Sequence, residues 1–272
     1  MWIQALLVTL LSSLFALMGP AWAVTLTAVS NNSSIEVDPG SQDGLFRWDV
    51  DGVGHMSREW FWLRTGSDTQ ESSLDTLALN SSTASGNQIS LSYSGSGFDV
   101  NVEYTLLGGA NGGGSSRIEE EFSFLNTGTS ALNLSWFSFT DLDLDGTALD
   151  QNAFGGAGGI TQVDGLVIAS VIPSLAASAF QIAAFDDLVD SLNDAGVTNL
   201  DNSGSPLGLA DAQFAFQHNF VIPSDGTASF TQIKELSAVP ELGTGGLLTT
   251  GLVFVLIGQW FKKTKGEEDV EG

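Results

Sequence analysis

Three aspartates at alternate positions before a glycine, Asp141-Leu142-Asp143-Leu144-Asp145-Gly146, carry the densest oxygen chemistry in this 272-residue chain. Carboxylates at that spacing, closed by a glycine turn, can wrap one hard cation, which is how a calcium loop opens. A complete loop places a bidentate acid at its twelfth position, where this chain has Asn152, with Asp150 two places earlier. The same spacing also reads as a strand that turns Leu142 and Leu144 inward and leaves the aspartates in water. Three like charges on one strand face repel one another unless a cation relieves them. Calcium on Asp141, Asp143 and Asp145 is the one cofactor the sequence offers.

Arg58-Glu59-Trp60-Phe61-Trp62-Leu63-Arg64 is the second candidate. Strand alternation places Arg58, Trp60, Trp62 and Arg64 on one face, with Phe61 and Leu63 on the inner one. Trp60 and Trp62 then either stack on sugar rings or build core, and their exposure separates the two readings. No catalytic set emerges. His55 lies near Asp49 and Asp51, and His218 shares parity with Phe214, Phe216, Phe220 and Ile222, so His218 faces the core. Neither histidine has a serine elbow or metal spacing beside it. Glu119, Glu120 and Glu121 form a carboxylate run, but acids are too plentiful to single out a glycosidase pair. Gly155-Gly156-Ala157-Gly158-Gly159 lacks the following helix of a phosphate cradle and reads as a flexible turn.

The elements that must position these residues are strands. Period-two alternation is cleanest at Phe98, Val100, Val102, Tyr104 and Leu106 against Asp99, Asn101, Glu103 and Thr105. Further strands are expected at 24–29, 45–50, 58–64, 74–79, 88–94, 117–125, 132–139, 166–171, 213–222 and 228–233. Short glycine-bearing connections join 88–94, 98–106, 117–125 and 132–139 into an antiparallel meander. One short surface helix is expected where Phe185, Leu188, Val189 and Leu192 follow helical spacing before Gly196. The fold class is therefore all-β, an antiparallel β-sandwich over residues 24–238, flanked by a signal helix and a transmembrane helix.

With 32 acidic against 8 basic residues the net charge is −24, and between the apolar ends only Arg47, Arg58, Arg64, Arg117 and Lys234 are basic. That balance excludes nucleic acid, whose phosphates need clustered cations. The chain has no cysteine, so disulfides, thiolate metal sites and thiol catalysis are excluded.

Both ends speak of export. Residues 1–23 form a signal peptide, with an apolar core at 5–17 and the small-x-small cleavage pattern Ala21-Trp22-Ala23. The segment 242–261 is long enough to cross a bilayer, and Lys262, Lys263 and Lys265 beyond it belong on the cytoplasmic side. Val239-Pro240-Glu241, the apolar run and the basic cluster together resemble the C-terminal sorting signal of PEP-CTERM proteins, over about the last thirty residues. Leu242 replaces that signal's second proline, and an acidic tail continues from Gly266 to Gly272. The resemblance implies sorting by an exosortase in bacteria that make exopolysaccharide. Trp48 to His55 and Glu59 to Trp62 resemble, more loosely, exported proteins of that group with no assigned activity.

The resulting expectation is an exported, non-catalytic β-sandwich at the cell surface or in the extracellular matrix. Its partners would be the secretion machinery, the membrane, an exosortase-like enzyme and exopolysaccharide. The alternatives are a glycan-binding module, calcium-assisted or not, and an exopolysaccharide-processing hydrolase.

Overall fold

The computed structural model describes residues 24–66 and 68–238. The signal segment with Ala21 and Ala23, the motif Val239-Pro240-Glu241, the segment 242–261 and the lysines beyond it lie outside those residues. Among the described residues no helix is long and apolar enough to cross a membrane.

Two sheets of nine strands each make the fold. The first sheet contains β1 (Leu26–Ser30), β2 (Ser33–Asp38), β3 (Gly44–Val50), β5 (Arg58–Thr65), β11 (Leu132–Asp141), β17 (Ala212–Ile222) and β15 (Ala179–Ala184), neighbours in that order. The short β4 (Val53–Gly54) pairs with β3, and β6 (Ser72–Ser73) with β5. The second sheet runs β16 (Leu207–Ala210), β12 (Gln151–Gly156), β13 (Gly159–Asp164), β14 (Val167–Pro173), β18 (Thr227–Ala238), β10 (Ser115–Asn126), β9 (Phe98–Gly108), β8 (Gln88–Gly95) and β7 (Ala78–Ser85). Every pairing is antiparallel except β3 with β5. At that contact Gly44 has φ +55°, and a Cβ there would sit 2.1 Å from the Glu59 carbonyl oxygen and 2.3 Å from the Trp60 ring. Only glycine admits so close an approach.

Alternation builds the core. In β9, Phe98, Val100, Val102, Tyr104 and Leu106 are all buried, while the residues between them are not. Aromatic rings meet between the sheets: Phe61 of β5 stacks on Trp136 of β11 at 5.1 Å, and Phe122 of β10 meets Phe61 edge-on at 5.1 Å. Phe122 in turn stacks on Phe230 of β18 at 4.8 Å. Such contacts add about 0.5–1.5 kcal/mol each beyond the area they bury. β5, β11 and β17 are buried on both faces, because α1 (Asp187–Asn193) and the segment at 72–76 cover the face turned away from the second sheet. Leu188, Val189 and Leu192 of α1 point into that layer, as their spacing predicts, whereas Phe185 stays exposed.

Several expectations are corrected. The meander continues through β7, β8, β9 and β10, but the strand expected at 132–139 leaves it for the first sheet, and β18 pairs with β10 instead. The strand expected at 74–79 begins as a 3-10 turn over Leu74–Thr76. The glycine run at 155–159 is a turn, as expected, and closes the hairpin between β12 and β13. β2, β4, β6, β12, β13, β15 and β16 lie outside the expected strands; small and polar residues blur the alternation of β12, β13 and β16.

Candidate metal centre

β11 ends at Asp141, where it lies opposite Arg58 of β5 on one side and Gln213 of β17 on the other. The chain beyond does not continue as the solvated strand that alternation allows. Leu142 and Leu144 are both wholly buried, and the chain closes into a 3-10 turn over Leu144–Gly146. Gln151 and Gln162 each donate a side-chain N–H to the Leu142 carbonyl oxygen at 2.8 Å. Two leucine anchors and two amide props thus fix the turn that carries Asp143.

A third carboxylate arrives from the link between β16 and β17. Asp141, Asp143 and Asp211 each offer an oxygen, and the three oxygens lie within 4.8 Å of one another. Asp145 is not among them. Its backbone is left-handed, at φ 58°, and its N–H donates to His55 Nδ1 at 3.1 Å. The carboxylates that meet are therefore Asp141, Asp143 and Asp211, and Asp145 of the expected calcium set stands outside the group. Twelve-residue loop arithmetic could not find Asp211, because it comes from another strand junction.

The electrostatics are unbalanced. Asp141 is 1% exposed; its Oδ2 accepts from Gln213 Nε2 at 3.0 Å, while its Oδ1 is buried with no hydrogen-bond partner. Gln213 is itself held by the Asp186 N–H at 3.0 Å. Burial pushes the Asp141 carboxyl up to about 7; the Gln213 hydrogen bond opposes this, Asp143 and Asp211 add to it, and Arg58 opposes it. Asp143 and Asp211 are also raised, each chiefly by burial, and Asp211 further by Asp143 and Asp186. Arg58 does not close an ion pair with the cluster: its guanidinium lies over the Phe139 ring at 5.2 Å and reaches Asp186 only at 3.9 Å. Three crowded carboxylates either hold protons or share a cation. Oxygen donors alone select a hard divalent ion, and such an ion would give Asp141 Oδ1 a partner. The donor set therefore fits a metal.

The other candidates resolve differently. Trp60 and Trp62 lie on the face their alternation predicts, but both are 0% exposed. Trp60 Nε1 donates to Ser73 Oγ at 3.1 Å and Asp75 Oδ1 at 3.0 Å, and Trp62 Nε1 donates to Asn193 Oδ1 at 3.0 Å. Covered by α1 and the 72–76 segment, they offer no ring to a sugar, and the stacking platform is corrected to core. His218 does face the core, 4.2 Å from the Phe230 ring, with neither nitrogen bonded and its pKa pushed down to about 4 by burial. Glu119 and Glu121 line a polar recess of about 210 Å3 with Glu103 and Arg117 on the second sheet's outer face. Glu120, wholly buried, points the other way, toward the first sheet.

No family model and no curated protein matches the sequence. Solved structures do resemble the fold. A bacterial glucoamylase complexed with acarbose matches with TM-score 0.56 at 8% identity, over 86% of this chain and 36% of that one. A GalM/aldose epimerase homologue from C. elegans matches with TM-score 0.52 at 8% identity, over 79% of this chain and 99% of that one. The Slr1438 protein from Synechocystis sp. PCC 6803 matches with TM-score 0.51 at 9% identity, over 81% and 98%. These likenesses overturn the ground for expecting a non-catalytic protein, because the same sheets are the frame of carbohydrate-active enzymes. At such identities they establish the fold alone, a β-sandwich of the kind found in proteins that handle carbohydrate.

Proposed function

We propose that the protein is an exported, carbohydrate-directed protein that binds calcium through Asp141, Asp143 and Asp211 and holds glycan hydroxyls at that ion. The carrying observation is the buried, unpartnered Asp141 Oδ1 facing two further carboxylates, in a fold shared with carbohydrate-active proteins. Calcium takes six to eight oxygen ligands, so three aspartates leave room for sugar oxygens and water. Arg58, whose Nη2 stays 3.9 Å from Asp186, can turn toward an acidic or hydroxylated ligand.

Calorimetry with calcium alone, followed by glycan arrays with and without chelator, tests this. Saturable calcium binding that Asp211→Asn weakens about tenfold or more, with glycan capture lost on chelation, is the expected result. No calcium binding at millimolar ion, together with chelator-insensitive capture, would reject it.

A second reading, chemistry on the glycan, is favoured by the Asp141 carboxyl at about 7, which can hold or release a proton near neutrality. Release of reducing ends from exopolysaccharide, lost in Asp141→Asn, would support it. The export half rests on the apolar 1–23 and 242–261 segments, on Val239-Pro240-Glu241 and on the trailing lysines, which support the secretion machinery, membrane and an exosortase-like enzyme as partners. Mass spectrometry of both termini checks it: a chain from Val24 to about Pro240 is expected, and intact termini would reject processing.

A further inference from the structure

Between the Ala21-Trp22-Ala23 site and the tail this chain has one lysine, and it is buried between the sheets. Lys234 of β18 is 1% exposed, with its Nζ 2.7 Å from Glu59 Oε2 of β5 and 2.5 Å from Glu120 Oε1 of β10. Both glutamates are wholly buried. The two carboxyls are not equivalent. Glu120 has both oxygens engaged, Oε1 by Lys234 and Oε2 by Gln232 Nε2 at 3.0 Å, and Gln232 is propped by Ser138 Oγ at 3.2 Å. Neither Glu59 oxygen accepts a hydrogen bond, although Oε2 lies at ion-pair distance from Lys234 Nζ. Two unspent hydroxyls stand beside the pair: Thr140 Oγ1, on the residue opposite Glu59, and Tyr104 Oη, on the residue opposite Glu120, are both buried without partners.

We propose that Lys234 and Glu59 are the site of a self-formed amide crosslink that joins the two sheets covalently. The arrangement supplies each part of an acyl condensation. An amine and a carboxyl are held in contact in a dry core, which raises their effective concentration enormously. Glu120, its two oxygens fixed by Lys234 and Gln232, takes a proton from the Lys234 ammonium. The free amine then attacks Cδ of the protonated Glu59 carboxyl, and the Thr140 and Tyr104 hydroxyls can donate to the oxygen that gains charge. The Nζ–Cδ bond forms, the Cδ–O bond breaks, and one water leaves. Its hydrogens come from the Glu59 carboxyl and the amine, and Glu120 retains the remaining proton. Charge is zero before and after, and no oxidant or co-reactant is needed. In an exported chain with no cysteine, such a bond would do the stapling a disulfide otherwise does.

Mass spectrometry of the purified full chain, digested after denaturation, reads the bond directly. The expected result is one crosslinked peptide pair containing Glu59 and Lys234, lighter than the sum of the two by one water, with no tryptic cleavage after Lys234. Glu120→Gln, close in shape, should leave the chain folded by circular dichroism and slow or abolish the bond. Separate, full-mass Glu59 and Lys234 peptides from the folded wild-type protein would overturn the proposal and leave a buried ion pair.

Discussion

Two acidic clusters, one wholly buried and one buried only at Asp141, follow opposite rules. Between the sheets, Glu59 and Glu120 close around Lys234, whose ammonium lies within ion-pair distance of both carboxyls. At the end of β11, Asp141, Asp143 and Asp211 converge with no basic side chain paired to them among the described residues, and Arg58 lies over a phenyl ring rather than on the carboxylates. Both sites carry the cost of taking carboxylates out of water, but only the first offsets it internally. An internally balanced cluster serves the fold, whereas an unbalanced one has capacity left for something from outside. Glu59 is pushed well up by burial and by Glu120, with Lys234 opposing.

The largest way to break the comparison is to unbalance the closed cluster. Lys234→Met removes the one cation and should cost about 3–5 kcal/mol, seen as a lower urea midpoint, because two buried carboxyls are left without a counter-charge. A change under about 1 kcal/mol would mean that Glu59 and Glu120 compensate each other by protonation alone.

Next in size is acid. His218 is neutral in the folded core with its pKa near 4, against about 6.5 unfolded, so the unfolded chain binds the proton more readily. Its contribution is complete above about pH 6.5 and is lost as pH falls through about 4, on the order of 3 kcal/mol. A His218→Phe variant should show a flatter stability profile across that window, and an unchanged profile would contradict the assignment.

The open cluster should respond with the opposite sign. Asp141 lies at about 7 when folded, above its unfolded value of about 3.9, so without a cation its stability contribution is full below about pH 4 and fades as pH rises through about 7. Asp141→Asn should therefore stabilise the cation-free protein at pH 8, on the order of 1–2 kcal/mol, while abolishing any calcium-induced rise in Tm. In the unmutated protein that rise should be larger at pH 8 than at pH 5, where protons compete for the same oxygens. The smallest expected effect separates the observed set from the one spacing implied: Asp145→Asn should leave calcium affinity within about twofold, while Asp211→Asn lowers it about tenfold or more. Equal losses would return Asp145 to the site.

Much of this was legible along the chain. Alternation located β3, β5, β8, β9, β10, β11, β17 and β18, turned His218 inward, and split Arg58, Trp60, Trp62 and Arg64 from Phe61 and Leu63 correctly. The same alternation could not tell whether the tryptophan face met water or another layer. That depended on α1 folding across it, and a strand's own periodicity is blind to what covers it. Asp141 and Asp143 stood out by spacing, while Asp211 sat among ordinary polar residues with no local signal.

The sequence by itself determined the strand-rich class, the faces of the strongest strands, the absence of thiol chemistry and the acidic surface, because these depend on composition and a two-residue period. Only the tertiary structure decided which acids meet. Strand order sent β11 into one sheet and β10 into the other, brought Lys234 between Glu59 and Glu120, and set the β16–β17 junction beside the end of β11. Side-chain period is a local property, whereas contacts between sheets depend on how the sheets stack, and no single stretch of chain contains that information.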